Sequence, residues 1–134
     1  MHLPSVLIVD ENKTELNLLV LGFLEDGFRV YPASSAAEAL DIGASEIDAV
    51  VTAMRIGPVL TGLEFARRFT KMRPATRVLL ISEFPERPRG ASTDGVSLLP
   101  GPFTPAQVVA KTRALLKMPT SLESDPMFWR LKTI

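Results

Sequence analysis

Four residues in this chain stand where chemistry is usually done, each at the end of an apolar run. Asp10 and Glu11 close Val6–Val9, Ser82 closes Val78–Ile81, and Arg55 follows Val50-Val51-Thr52-Ala53-Met54. Two adjacent carboxylates can hold a divalent cation together with water and a backbone carbonyl near Arg55, since Mg²⁺ often uses only one or two protein carboxylates. The same pair can equally be neutralised by Arg55 or solvated. Ser82 offers a hydroxyl that can meet an anion or cap local backbone. No glycine-rich phosphate loop follows the first apolar run, which weakens nucleotide and flavin readings. No nucleophile and general base stand together, so an enzyme is the weakest reading and none is expected.

The elements that must position these groups follow from apolar periodicity. Val6–Val9, Phe28–Tyr31, Asp48–Thr52, Val78–Ile81 and Val96–Leu99 read as buried strands. Between them lie helical patterns. Leu16, Leu19, Val20, Phe23 and Leu24 form an inner face that stops at Asp26-Gly27. Ser35 and Glu38 have capping-box spacing ahead of a short helix reaching about Ala44, and Pro32 is expected to end the strand before it. Thr61 and Glu64 repeat that spacing before Leu63, Phe65, Ala66, Phe69 and Met72, and the helix stops before Pro74. Thr104-Pro105-Ala106-Gln107 combines cap, proline at the first helical position and Gln at the third, with Val108, Val109, Thr112, Leu115 and Leu116 facing inward. The stretch 83–95 carries Pro85, Pro88, Gly90 and Gly95 with no apolar period, so a loop or one distorted turn is expected there. Strands alternating with helices predict an α/β fold, a parallel sheet covered on both faces, with ligands outside the carboxyl ends of the strands.

Composition bounds the rest. The 134 residues suit one domain with its own core. Fifteen basic and fifteen acidic residues cancel, giving no electrostatic reason to expect a nucleic-acid or membrane surface. The absence of cysteine excludes disulfides and thiolate sites. No leader-like segment or long apolar span is present, so a cytoplasmic protein is the expectation. His2, the single histidine, carries no expected role. Asp48 reads as a strand-start residue, roughly 16 Å from the carboxyl end at ~3.3 Å per residue. The Thr52 hydroxyl should point away from where Ala53 points.

Taken together, Val-Leu-Ile-Val-Asp-Glu-Asn at 6–12, Asp-Ala-Val-Val-Thr-x-Met-Arg at 48–55, Gly-Leu-Glu at 62–64, Leu-Leu-Ile-Ser at 79–82 and Leu-Leu-Pro-x-Pro-Phe-Thr-Pro at 98–105 resemble the receiver domain of two-component response regulators. The resemblance covers residues 4–118 and implies a flavodoxin-like, doubly wound five-stranded parallel sheet of order 2-1-3-4-5, with the fourth helix short or absent. It divides the chain into a receiver-like domain, 1–118, and a tail, 119–134, where Asp125-Pro126 has the form of a helix start and Met127, Phe128, Leu131 and Ile134 form an apolar stripe.

In that family an acidic pair helps bind Mg²⁺, an aspartate after the third strand accepts a phosphoryl group, and a hydroxyl and a lysine contact the phosphoryl oxygens. Asp10 and Glu11 match the acidic pair and Ser82 the hydroxyl. Ala53 stands at the phosphoacceptor position, Gly101 at the lysine position and Leu98 at the switch-aromatic position. Phosphoryl transfer needs an in-line nucleophile and positive charge on the equatorial oxygens. The resemblance thus implies a degenerate, stand-alone pseudo-receiver that acts in phosphorelay signalling by protein–protein contact. It would need no cofactor and would keep at most a weak, vestigial Mg²⁺ site. The implied partner is a histidine kinase, response regulator or effector, with a homodimer left open. Its rivals are a phospho-accepting receiver seen as an inactivated variant and a small-molecule-binding module on the same fold.

Overall fold

The computed structural model describes residues 3–42, 46–58, 60–82 and 95–118. Their order is β1 (Ser5–Val9), α1 (Lys13–Glu25), β2 (Arg29–Ala33), α2 (Ala36–Ile42), β3 (Ala49–Ala53), α3 (Gly62–Met72), β4 (Arg77–Ser82), β5 (Val96–Pro100) and α4 (Pro105–Leu115). The strands form one sheet in the order β2-β1-β3-β4-β5, and every pairing is parallel. The expected fold class and strand order are therefore observed. The expected short or absent fourth helix and the 119–134 tail lie outside the described residues, as does His2.

Side-chain alternation along the strands feeds two separate cores. Leu7, Val9, Val50, Val78 and Leu80 pack with Ala36, Ala39, Phe65, Ala66 and Phe69 from α2 and α3. On the other face Val6, Ile8, Val51, Ala53, Leu79 and Ile81 meet Leu16, Leu19 and Phe23 of α1 and Val108 and Val109 of α4. Every residue of β1 and β3 is buried, because these central strands are covered from both sides. Phe23 is fully buried and meets Phe28 edge-on, with centroids 4.9 Å apart.

Helix starts follow the capping chemistry of the sequence. Thr104 Oγ1 accepts from the Gln107 N–H at 3.2 Å while Gln107 Oε1 accepts from the Thr104 N–H at 2.8 Å, a complete capping box with Pro105 inside it. Thr61 Oγ1 accepts from the Glu64 N–H at 3.2 Å. The Ser35 box is only half formed. Ser35 Oγ accepts from the Glu38 N–H, but the Glu38 carboxylate turns to the N–H and hydroxyl of Ser34. The Ser34 N–H first, and its hydroxyl second, hold the Glu38 pKa below its ordinary value of 4.5; desolvation opposes this and Lys13 adds to it.

Three expectations are corrected. Pro32 does not end β2 but lies inside it, paired in register with Ile8. A proline is tolerated there because β2 is an edge strand that need not donate outward. Leu24 and Met72 are not buried on inner faces but are 53% and 60% exposed. Leu24 follows the buried Phe23 by one residue, where the helix has already turned toward solvent, whereas Met72 stands on the side of the buried Phe69 but is the last residue of α3.

Candidate functional site at the carboxyl ends of the strands

A cavity of about 400 Å³ opens at the carboxyl end of the sheet, lined by Asp10, Glu11, Asn12, Glu15, Ala53, Met54, Arg55, Ile81, Ser82 and Phe103. Adjacent parallel strands end side by side here, so residues far apart in sequence converge. Asp10 follows β1 directly, and its N–H bonds to the Ala33 carbonyl at the end of β2. The Glu11 N–H bonds to the Arg55 carbonyl at 3.1 Å, which ties the acidic pair to the loop after β3. Asp10 is 2% exposed, and its Oδ1 accepts from the Asn12 N–H at 2.9 Å. Asn12 in turn caps α1 by accepting from the Glu15 N–H at 3.0 Å. The buried carboxylate thereby fixes the turn that starts the first helix.

The β3 end is held equally closely. The Gly62 N–H bonds to the Met54 carbonyl at 2.7 Å, and Arg55 and Thr61 form an antiparallel bridge. A Cβ on Gly62 would stand 1.7 Å from the Ala53 carbonyl oxygen, so α3 reaches this loop only because residue 62 is glycine.

Of the residues singled out in the sequence, Asp10, Glu11, Ala53, Arg55 and Ser82 meet around this one cavity. Gly101 does not line it but adjoins it, its N–H bonding to the Ser82 carbonyl at 2.6 Å next to a cis Gly101–Pro102 peptide. Leu98 lies away from the cavity, half-buried against the α2 and α3 core. Asp48 sits at the opposite end of the sheet, accepting from the Ser5 N–H at 2.8 Å and the Ser5 hydroxyl at 3.2 Å. Thr52 is fully buried and donates to the Ala53 carbonyl at 3.0 Å, outside the cavity.

Sequence reasoning did not assign Asn12, Glu15, Ile81 or Phe103 to the site. Phe103 was within reach of it, since it directly follows the proline turn after β5 and is the one ring among the described residues of the lining.

Chemically, the described residues of the lining offer three carboxylates, one guanidinium, one hydroxyl and an apolar floor. The side chain at the end of β3 is a methyl group, 7% exposed, which neither attacks nor ligates. Among the described residues no group of three or more His, Cys, Asp or Glu side chains converges to hold a metal ion. Asp10 and Glu11, beside the Arg55 carbonyl, are the donors that a divalent cation would find.

No protein-family model matches the sequence. The chain is 26% identical to a response regulator receiver protein from Sinorhizobium medicae, with a TM-score of 0.75 over 87% of this chain and 96% of that one. A receiver domain from Clostridium thermocellum is 25% identical, with a TM-score of 0.73 over 86% and 95%. The chain has the response-regulator receiver fold. Among curated proteins, the response regulator MprA of Mycolicibacterium vanbaalenii is 31% identical over 119 residues, 86% of this chain and 51% of that protein. The chain thus spans about half the length of the curated relatives it matches. Among the described residues no helix is long and apolar enough to cross a membrane.

Proposed function

We propose that this receiver-type domain serves two-component signalling by protein–protein contact and accepts no phosphoryl group at position 53. The observation that carries this reading is the alanine methyl at the end of β3, inside the cavity where Asp10, Glu11 and Ser82 meet. A receiver needs a carboxylate there to form the acyl phosphate and a cation to neutralise the transferred group. Ala53 supplies no oxygen, and Gly101, the residue bonded to the Ser82 carbonyl, supplies no ammonium. Asp10 and Glu11 are left as a vestigial metal pair, short of the third carboxylate that would tighten Mg²⁺ binding. The partners proposed are a histidine kinase, another response regulator or an effector, and the site of action is the cytoplasm.

Incubation of the intact protein with acetyl phosphate, or with beryllofluoride, in the presence of Mg²⁺ tests the reading. Its intact mass and amide NMR spectrum should stay unchanged. A stoichiometric phosphoryl adduct, or a beryllofluoride-dependent set of shifts around Ala53 and Ser82, would overturn it. A second reading, a small-molecule module, is favoured by the cavity's volume of about 400 Å³ and its mixed polar and apolar lining. Ligand-dependent stabilisation in a thermal-shift screen of nucleotides and metals would select that reading over the adaptor.

A further inference from the structure

The cavity at the carboxyl ends of the strands has a neighbour. A groove of about 230 Å³ runs between α1 and the start of α4, and Asn12, Glu15 and Phe103 line both hollows. The first turn of α1 and the ring after the β5 turn therefore form a wall common to the two, which together make one recess with two unlike halves. Leu18, Leu19 and Pro105 give the groove an apolar lining, with Leu18 51% exposed and Leu19 buried. The larger half carries the charge: among the described residues of its lining, Asp10, Glu11 and Glu15 stand against the single guanidinium of Arg55.

That imbalance selects the sign of an occupant. A phosphate or carboxylate would meet three like charges at close range for one unlike charge, whereas a cation meets the reverse. The start of α1, which would ordinarily favour an anion through its first N–H groups, is already answered from within the chain. Asp10 Oδ1 accepts from the Asn12 N–H, Asn12 Oδ1 from the Glu15 N–H, and the Asn12 carbonyl from the Leu16 N–H. Size and lining select the kind of cation. About 400 Å³ is far more than a bare metal ion fills and falls within the range of small-molecule sites, about 300–1,000 Å³. The Ala53 methyl, Ile81 and the Phe103 ring offer hydrocarbon rather than oxygen ligands, and an aromatic face attracts an organic cation. The groove extends that apolar lining past Phe103.

We propose that this recess binds a small organic cation with an apolar body, its ammonium group among Asp10, Glu11 and Glu15 and its hydrocarbon along Phe103, Leu18 and Pro105. The inference rests on the small-molecule reading given above and supplies the chemical class that reading leaves open.

The probe is 4-phenylbutylamine, an ammonium on a phenylbutyl chain, titrated into the intact protein and followed by amide NMR. The amides of Asp10, Glu11, Asn12, Glu15 and Phe103 should shift saturably, with weaker binding at high salt. The same chain ending in a carboxylate, 5-phenylpentanoate, should bind roughly tenfold more weakly or worse, and n-butylamine, which lacks the ring, severalfold more weakly. Glu11→Gln with Glu15→Gln should cut the affinity for 4-phenylbutylamine about tenfold and leave the circular dichroism spectrum unchanged, because neither side chain is buried. Leu18→Ser should weaken 4-phenylbutylamine severalfold and leave n-butylamine unaffected, and Leu40→Ser, at an exposed leucine of α2, should change neither. Equal binding of the amine and the carboxylate, or of the amine by the parent and the doubly substituted protein, overturns the proposal while the small-molecule reading stands. So does MgCl₂ producing the shifts where the amine produces none, which assigns the site to an inorganic ion. No response to the amine overturns the proposal as well, and the small-molecule reading falls with it if no compound in the thermal-shift screen stabilises the protein.

Discussion

Replacing Gly62 by alanine sets two effects of opposite sign against each other. In a helix interior alanine is favoured over glycine by roughly 0.5–1 kcal/mol, and Gly62 is the first residue of α3. Against this, the new Cβ would lie 1.7 Å from the Ala53 oxygen, 2.7 Å from the Ala53 carbon and 2.9 Å from Met54 Cα. These are backbone atoms, which cannot swing aside as a side chain can. They are further fixed by the Gly62–Met54 hydrogen bond, the Arg55–Thr61 bridge and the pairing of Ala53 with Ile81. Relieving the clash requires α3 and the end of β3 to separate. That costs about 1–3 kcal/mol for overpacking and about 0.5–1.5 kcal/mol for the lost hydrogen bond. The clash therefore wins, with a net destabilisation of roughly 1.5–3 kcal/mol after the helical gain is subtracted. For a domain of this size the melting temperature should fall by about 5–12 °C. Urea and thermal unfolding measure this, and the amide shifts of Ala53 and Arg55 should move as the cavity floor is displaced. Gly27→Ala is the companion: Gly27 has φ +87 and nothing within 4 Å, so its loss, about 1 kcal/mol, comes from backbone conformation alone. A Gly62→Ala protein as stable as the parent would refute the close-approach argument.

Phosphorylation chemistry gives the functional prediction stated above, an unchanged mass with acetyl phosphate and Mg²⁺. Thr104→Ala removes the hydroxyl half of the α4 capping box and should destabilise by about 1 kcal/mol, read from the urea midpoint. Arg113→Lys should lose the paired contact to the Asp26 carboxylate and carbonyl together with the stacking 5.3 Å over Phe28, lowering stability by about 1 kcal/mol or more, with the loss smaller in high salt. Glu38 supplies a pH dependence whose sign follows from its lowered folded-state pKa. Its stabilising contribution is present above the ordinary value of 4.5 and is lost as pH falls through the folded value. Glu38→Gln should accordingly lower the unfolding midpoint slightly near neutral pH, converge with the parent at acid pH and so flatten the midpoint across that window; an unaltered acid limb would count against the Ser34 contacts.

Much of this architecture was legible before any coordinates. The continuous apolar runs of β1, β3 and β4 require burial on both faces, and that requirement alone implies a parallel sheet between helix layers. The caps at Thr61 and Thr104 are local chemistry, complete within four residues, and appear where the sequence places them. The misread positions share a cause. Leu24 and Met72 fit the inner-face periodicity of their own helices, but how wide a stripe the sheet can cover depends on neighbouring elements. Pro32 looks like a terminator unless one knows that β2 is an edge. Glu38 has the right spacing for Ser35, yet a competing pair of donors on Ser34 captures it.

The sequence by itself determined which groups are present at the strand ends: Asp10, Glu11, Arg55 and Ser82, and a methyl at Ala53. Residue identity cannot be altered by folding, so the missing nucleophile needed no structure. Only the tertiary arrangement decided that these groups share one cavity with Asn12, Glu15 and Phe103, and that Gly101 borders the cavity while Leu98 lies apart. It alone decided that Gly62 must be a glycine and that three leucines of α1 are left facing solvent. Convergence, close approach and residual exposure depend on distances between segments remote in sequence, and those distances are set by the packing of the whole sheet.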